Sequence, residues 1–520
     1  MITKQKIGQR IALGFSGTTV SEELRRLVGE YKAGNIILFQ RNLENTSQIR
    51  ALCGELQELV KAETGEPAFI AIDQEGGTVV RLPPDMVNVP GAMALAASGK
   101  TENAALAAQI TAAELKRIGV NLNLAPVLDV NCNIDNPVIG SRSFSPLPEE
   151  AAAFACAEVR AFQEAGLMCC GKHFPGHGDT SVDSHLDLPM VDLSLAELEA
   201  RELVPYRAAI EAGIPAIMTS HILFPQIEPE RIPATMSAKI LRGLLRERLG
   251  FKGLILSDAM EMQAIKTHYG MPRGCVEALA AGVDIIYLCH EMPEVEESLK
   301  AVYAAHEEGR FDEKEADASV ERILRNKAKY AAFGLGGGED SDDAIQRRRD
   351  LNAVLTQRTL APREYGKAPP PFGPKPFFLG PLPYRSTIAS SAPSASLSFG
   401  RWFAEKFHGN FAETPLNPDV SEIKQIVSLP HASSIVMGTY NGRLNSGQMD
   451  LVSALCDVAK QREIPFMVFA LRNPWELSLL PEGVYGMALW EYTEKSFEAA
   501  AAIFRGEAAL EGRLPGIGQR

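Results

Sequence analysis

Residues 172–185, KHFPGHGDTSVDSH, bring Lys172, His173, His177, Asp179, Asp183 and His185 into fourteen positions. Imidazoles and carboxylates at this density suit a zinc or iron site. The H-x-x-x-H spacing, however, runs through Pro175 and Gly176, so the histidines cannot share one face of a helix. A second chemistry is a Schiff-base lysine, because burial at a strand end would lower the pKa of Lys172. A third gives Lys172 and His173 to a polar ligand and lets the glycine-rich loop carry an acid/base. There Asp183 and His185 stand one residue apart, and a carboxylate so placed fixes the imidazole tautomer and raises its pKa. The fourth is a solvated loop with incidental histidines. Spacing alone leaves all four open. His177 and Asp179, hemmed by glycine, read as loop-shaping residues.

Other polar residues fall where apolar runs stop. Asp73 follows AFIAI, Lys172 and His173 end MCCGKHF, His221 ends IPAIMTSH and Asp258 ends GLILSD. Arg142 lies in the segment after the fourth run. Charged groups at the ends of several independent strands are what one catalytic mouth requires.

The elements that would position them are eight short β-rich runs, at 11–15, 35–39, 68–73, 120–126, 168–174, 214–221, 253–258 and 283–288. Amphipathic helical patterns such as TSQIRALCGELQELVKAE separate them. Buried strands alternating with helices predict parallel βα units, and eight is the number that closes a (β/α)8 barrel. An open doubly wound sheet is the alternative. In a barrel, catalytic groups gather at the C-terminal ends of the strands.

The pattern divides the chain into a barrel over 1–335, a Gly/Pro-rich linker over 336–375 and a smaller α/β sandwich domain over 376–520. Further apolar runs at 376–380, 433–440, 465–471 and 485–490 supply the second sheet. The net charge of −13 argues against a surface for nucleic acid or anionic lipid. No uninterrupted apolar run could span a bilayer, and the N-terminal stretch lacks a signal-peptide core, so a cytoplasmic location is expected. Eight scattered cysteines without a CxxC read as buried thiols of a reducing compartment.

KHFPGHGDTSVDSHLDLP resembles the signature of glycoside hydrolase family 3, in particular its bacterial exo-β-N-acetylglucosaminidases. IDQEGGTVVRL, NLNLAPVLDV, NPVIGSRSFS, MTSHI and LILSDAMEM match further family blocks in order. ALRNPWELSLLP and AAAAIFRGEAALEGRLPG resemble the family's C-terminal sandwich.

The resemblance implies a retaining β-N-acetylhexosaminidase working through a covalent glycosyl-enzyme. Asp258 would be the nucleophile, His185 the acid/base and Asp183 its dyad partner. Asp73, Arg81, Arg142, Lys172 and His173 would hold the terminal sugar, with no metal and no cofactor. Retaining hydrolysis needs a carboxylate beneath the anomeric carbon and a proton donor at the glycosidic oxygen, and a mobile loop suits a donor that must reposition between steps. The expected substrate is a short glycan ending in β-linked GlcNAc, such as a muropeptide of cell-wall recycling or a chitin oligosaccharide; nucleic acid and membrane are not expected partners. Two departures stand out. Ala259 follows Asp258 where many of these enzymes carry a second acid, which bears on sugar preference. The Asp183/His185 pair also makes a glutamic acid from the second domain unnecessary, so Glu491 is expected to be structural. A phosphorylase or β-glucosidase on the same scaffold, a metal-dependent hydrolase and a non-catalytic sugar-binding protein are the alternatives.

Overall fold

A computed structural model describes residues 3–181, 188–290, 292–331, 341–385, 390–391, 396–428 and 430–516. Asp183 and His185 lie outside the described residues. All eight expected runs form strands: β1 Ile11–Leu13, β2 Asn35–Leu38, β3 Phe69–Ile72, β4 Leu122–Asn123, β5 Met168–Phe174, β6 Ala216–Thr219, β7 Leu254–Ala259 and β8 Ile285–Leu288. They pair in parallel and in sequence order, and β8 closes on β1. The open-sheet alternative is therefore excluded.

Side-chain alternation along these strands does the positioning. Phe69 and Ala71 of β3 belong to the cluster that fills the barrel, whereas Ile70 and Ile72 face the surrounding helices. Met168 and Cys170 of β5, Leu254 and Leu256 of β7, and Ile285 and Tyr287 of β8 also face inward. Extending that period of two by one step places Asp73, Lys172, Asp258 and Cys289 at the mouth. Ala216 and Met218 are the inward residues of β6, so His221 is out of phase. At the opposite end, Lys327 from helix Glu313–Tyr330 lies over the ring of Phe69 and donates to Gln9 and to the Gly34 carbonyl.

The second domain is a six-stranded sheet in the order β11-β10-β12-β13-β14-β9. Its strands are β9 Ala361–Pro362, β10 Pro376–Pro381, β11 Asn410–Thr414, β12 Ser434–Thr439, β13 Phe466–Ala470 and β14 Tyr485–Ala488. All pairs are parallel except β14 with β9. Within the region expected as a linker, 336–375, the described residues 341–375 are more ordered than their composition implies. They hold helix Asp342–Thr359, capped by Ser341, and then β9. The glycines and prolines flank this helix rather than interrupt it, and its Asn352, Leu355 and Thr356 are buried.

The two domains share buried surface. Met93, Ala94 and Ala97 from the barrel side pack in one cluster with Trp475 and Trp490. Ser141 N donates to Asn473 Oδ1 at 2.9 Å, Gly91 N to Glu491 Oε1 at 3.0 Å and Arg513 N to the Ala97 carbonyl at 2.7 Å. Among the described residues no helix is long and apolar enough to cross a membrane. All eight cysteines are free thiols, seven of them buried.

Candidate active site

A cavity of about 690 Å³ opens at the C-terminal ends of the strands. Asp73, Arg81, Arg142, Lys172, His173 and Asp258, the sequence-predicted residues that fall in the described region, all line it. Three arrive by strand alternation. His173 follows Lys172 in β5, and Arg81 and Arg142 are carried by segments between strands whose folding is specified locally.

The loop after β3 is built on Gln74, a buried side chain. Its Oε1 accepts from Arg81 N at 2.8 Å and Leu82 N at 3.3 Å, while Asn123 brackets its backbone from β4. Gly77 makes the turn at φ +59°, and a Cβ there would stand 2.7 Å from Gly91 Cα. The turn therefore needs glycine twice over, for its conformation and for space. It returns Glu75 and Arg81 to the same mouth.

Glu75, which the sequence reading missed, is the hub of the cluster. Lys172 Nζ lies 2.7 Å from Glu75 Oε1 and 2.7 Å from Asp73 Oδ1. Arg142 grips Glu75 with both ends of its fork, Nε to Oε2 at 2.8 Å and Nη2 to Oε1 at 2.7 Å. Burial alone would raise the Glu75 pKa, but the Arg142 and Lys172 charges outweigh it and hold the carboxylate far below its usual range. Burial likewise works against the Lys172 ammonium, yet Asp73 and Glu75 keep its pKa above that of an ordinary lysine. A Schiff-base lysine needs a neutral amine, so that reading fails here.

Asp129, the second missed residue, does for the imidazole what Glu75 does for the cations. It is fully buried and accepts from His173 Nδ1 at 2.7 Å, from His173 N and from His177 N at 2.8 Å. A carboxylate can only accept, so Nδ1 carries the proton and Nε2 faces Arg142 Nη2 at 3.5 Å. Burial opposes the Asp129 charge, and His173 and the other donors bring its pKa below the usual value. His177 donates or accepts at Thr180 Oγ1, 2.7 Å from its Nδ1. Burial and the neighbouring His173 lower the His177 pKa to about 4, so it is neutral at pH 7. Asp179 pairs with Arg201 at 2.6 Å. The loop-shaping reading of these two fits their contacts, although His177 also contributes wall to the cavity. With Asp129 and Arg201 occupying His173 and Asp179, the metal reading of this stretch loses two of its donors.

Asp258 stands one residue before the end of β7, half-buried on the cavity wall, and its Oδ1 accepts from Ala259 N at 2.8 Å. His221 stands behind it. Its Nε2 donates to the Ala259 carbonyl at 3.0 Å and its Nδ1 meets Thr235 Oγ1 at 2.9 Å. His221 thus steadies the backbone beside Asp258 without lining the cavity. The second domain also reaches the mouth: Arg385 and Ser390 line the cavity. Arg385 Nε donates to the Ser390 carbonyl at 2.9 Å, and Arg81 Nη1 donates to Ser391 Oγ at 3.0 Å. Nothing in the loop around Arg385 signals this from sequence. Glu491 faces the domain interface, at Gly91, rather than the cavity.

This arrangement can bind a small, densely hydroxylated molecule through oriented charged donors and acceptors and place a carboxylate beside it. A family model described as the glycosyl hydrolase family 3 N-terminal domain matches residues 2–326. The chain belongs to glycosyl hydrolase family 3. Among relatives, β-hexosaminidase A of Pseudoalteromonas piscicida is 35% identical over 367 residues, which are 63% of this chain and 61% of that protein. A β-hexosaminidase of Stenotrophomonas maltophilia (strain K279a) is 36% identical over 299 residues, 56% of this chain and 86% of that one. Among solved structures, a glycoside hydrolase family 3 β-N-acetylglucosaminidase from Paenibacillus sp. str. FPU-7 superposes with a TM-score of 0.91 at 36% identity. The superposition covers 99% of this chain and 98% of the other. The family 3 likeness thus extends over both domains, and the chain is a glycoside hydrolase.

Proposed function

We propose that this family 3 chain is a retaining exo-β-N-acetylglucosaminidase that removes terminal β-linked GlcNAc from short glycans. Asp258 attacks the anomeric carbon and forms a covalent glycosyl-enzyme. His185, paired with Asp183, protonates the departing oxygen and then activates water. Asp73, Arg81, Arg142, Lys172 and His173 hold the sugar. Muropeptides and chitin oligosaccharides are the substrate classes that fit.

The observation that carries this reading is the Asp258 carboxylate, near the end of β7, on the wall of a cavity that is also lined by Asp73, Arg81, Arg142, Lys172 and His173. Lys172 and Arg142 saturate Glu75, and Lys172 also engages Asp73. Retaining hydrolysis asks for one nucleophilic carboxylate and one separate proton donor. A histidine donor avoids placing a second anion against it. The named activity of the Paenibacillus relative, similar over nearly its whole length, supports the choice of GlcNAc.

The test is a panel of aryl β-glycosides assayed in phosphate and in phosphate-free buffer, with the first-formed anomer read by NMR. The expected result is release from β-GlcNAc in both buffers, first as the β-anomer, and loss of that release in Asp258→Ala. Near-normal turnover by Asp258→Ala overturns the nucleophile, and turnover only with phosphate overturns hydrolysis.

A further inference from the structure

On the wall of the same cavity, at the adjoining ends of β7 and β8, stand three side chains that the hydrolytic reading does not use. We propose that Glu261, Cys289 and His290 form a binding site for a thiophilic divalent cation of the zinc class. One ligand atom from each lies within 4.8 Å of the other two. Tetrahedral zinc with Zn–S near 2.3 Å and Zn–N or Zn–O near 2.0–2.2 Å sets its ligand atoms about 3–4 Å apart. Closing the set therefore takes side-chain movement on the order of one ångström, and the half-exposed His290 has room to supply it.

The second observation is the state of Glu261. Its side chain is 9% exposed. Oε1 accepts from Cys289 N and from His290 Nδ1, the latter at 3.1 Å. Oε2 is buried and has no hydrogen-bond partner among the described residues. A buried carboxylate oxygen left unsatisfied is costly, and each such atom in a folded protein calls for an explanation. A cation bound there would satisfy it. Burial first, and then the carboxylates of Glu261, Asp258 and Asp73, hold the Cys289 thiol protonated against the opposing Arg41, and the same carboxylates favour a cation beside it.

The donor set is one thiol, one imidazole and one carboxylate. Its sulfur selects against magnesium and calcium and for zinc, cobalt or cadmium. Binding breaks the Cys289 S–H bond, forms the sulfur–metal bond and releases the proton to solvent. Three protein donors leave a fourth position toward the cavity, where water completes the shell. A dication on this wall would also draw the Asp258 carboxylate toward itself and oppose its attack on a sugar, so occupancy should slow hydrolysis. The binding claim itself does not depend on which sugar the cavity accepts.

Cobalt(II) serves as the probe, added to the purified full chain under reducing, chelator-free conditions. A thiolate-to-cobalt charge-transfer band in the near ultraviolet should saturate at one equivalent, and zinc should displace it. Cys289→Ser should abolish the band, whereas Cys132→Ser should leave it. Glu261→Gln and His290→Ala should each weaken cobalt binding at least tenfold, which keeps the proposal testable if Cys289→Ser folds poorly. Absence of the band, its survival in Cys289→Ser, or unchanged affinity in both Glu261→Gln and His290→Ala would each overturn the site. Sugar release by metal-free protein is a separate readout, and its failure would count against the glycosidase reading alone.

Discussion

Lys172 Nζ and Glu75 Oε1 lie 2.7 Å apart, and the same oxygen accepts Arg142 Nη2 at 2.7 Å. One buried carboxylate therefore compensates two buried cations, and it fixes where both present their remaining N–H groups to the cavity. Removing one partner of such an assembly costs about 3–5 kcal/mol, because it leaves uncompensated charge behind. Glu75→Gln should accordingly lower the thermal midpoint by several degrees and kcat/KM by more than tenfold. The sign of its pH dependence follows from the depressed Glu75 pKa. The carboxylate's contribution is present above the unfolded value near 4.5 and is lost as pH falls toward the lower folded value. The midpoint gap between wild type and Glu75→Gln should narrow in acid. A gap that widens in acid would contradict the assignment.

Asp129 acts through His173 rather than on a substrate. Asp129→Asn keeps the size of the side chain, yet its amide can donate toward His173 Nδ1 and favour the other tautomer. Losses for such orienting partners are typically about 10–100-fold. The expected outcome is a fall of that size in kcat/KM while the far-ultraviolet dichroism is retained. Unchanged kinetics would mean that the His173 tautomer is irrelevant to turnover.

Arg385 brings a cation from the second domain to the cavity. Arg385→Ala should raise KM for a GlcNAc glycoside about tenfold, on the scale of one charged hydrogen bond, with the thermal midpoint little changed. An unaltered KM would remove Arg385 from sugar binding.

The barrel was legible because its strands are buried on both faces and read as continuous apolar runs. The same regularity made Asp73, Lys172 and Asp258 legible, since each continues the inward phase of its strand by one step. Cys289 continues β8 in that way too, and the signal was there to be read. His221 illustrates the converse: it ends an apolar run but is out of phase, and it turns to the backbone beside Asp258. Glu75 and Asp129 were not legible, because loops place them and their importance lies in contacts with residues far along the chain. The helix at 342–359 was hidden by the glycines and prolines flanking it. Strand β11, NFAET, was hidden because it is an edge strand with mostly exposed side chains.

Glu491 permits a prediction that joins stability to mechanism. Its Oε1 accepts from Gly91 N across the domain interface, and burial raises its pKa to about 7 from 4.5. For an acid with a raised folded pKa, the folded state binds the proton more tightly than the unfolded chain does. The destabilisation is therefore absent below about pH 4.5, grows as pH rises and is complete above about pH 7. At 1.36 kcal/mol per pK unit, that difference amounts to about 3 kcal/mol. Glu491→Gln retains a carbonyl to accept from Gly91 and cannot ionise. It should raise the thermal midpoint by several degrees at pH 8 and leave it nearly unchanged at pH 4.5. Because Glu491 faces the interface and not the cavity, kcat should stay within about twofold, a change of under half a kcal/mol. A large loss of kcat with an intact midpoint would instead make Glu491 the proton donor, as in the β-glucosidase alternative, and would displace His185 from that role.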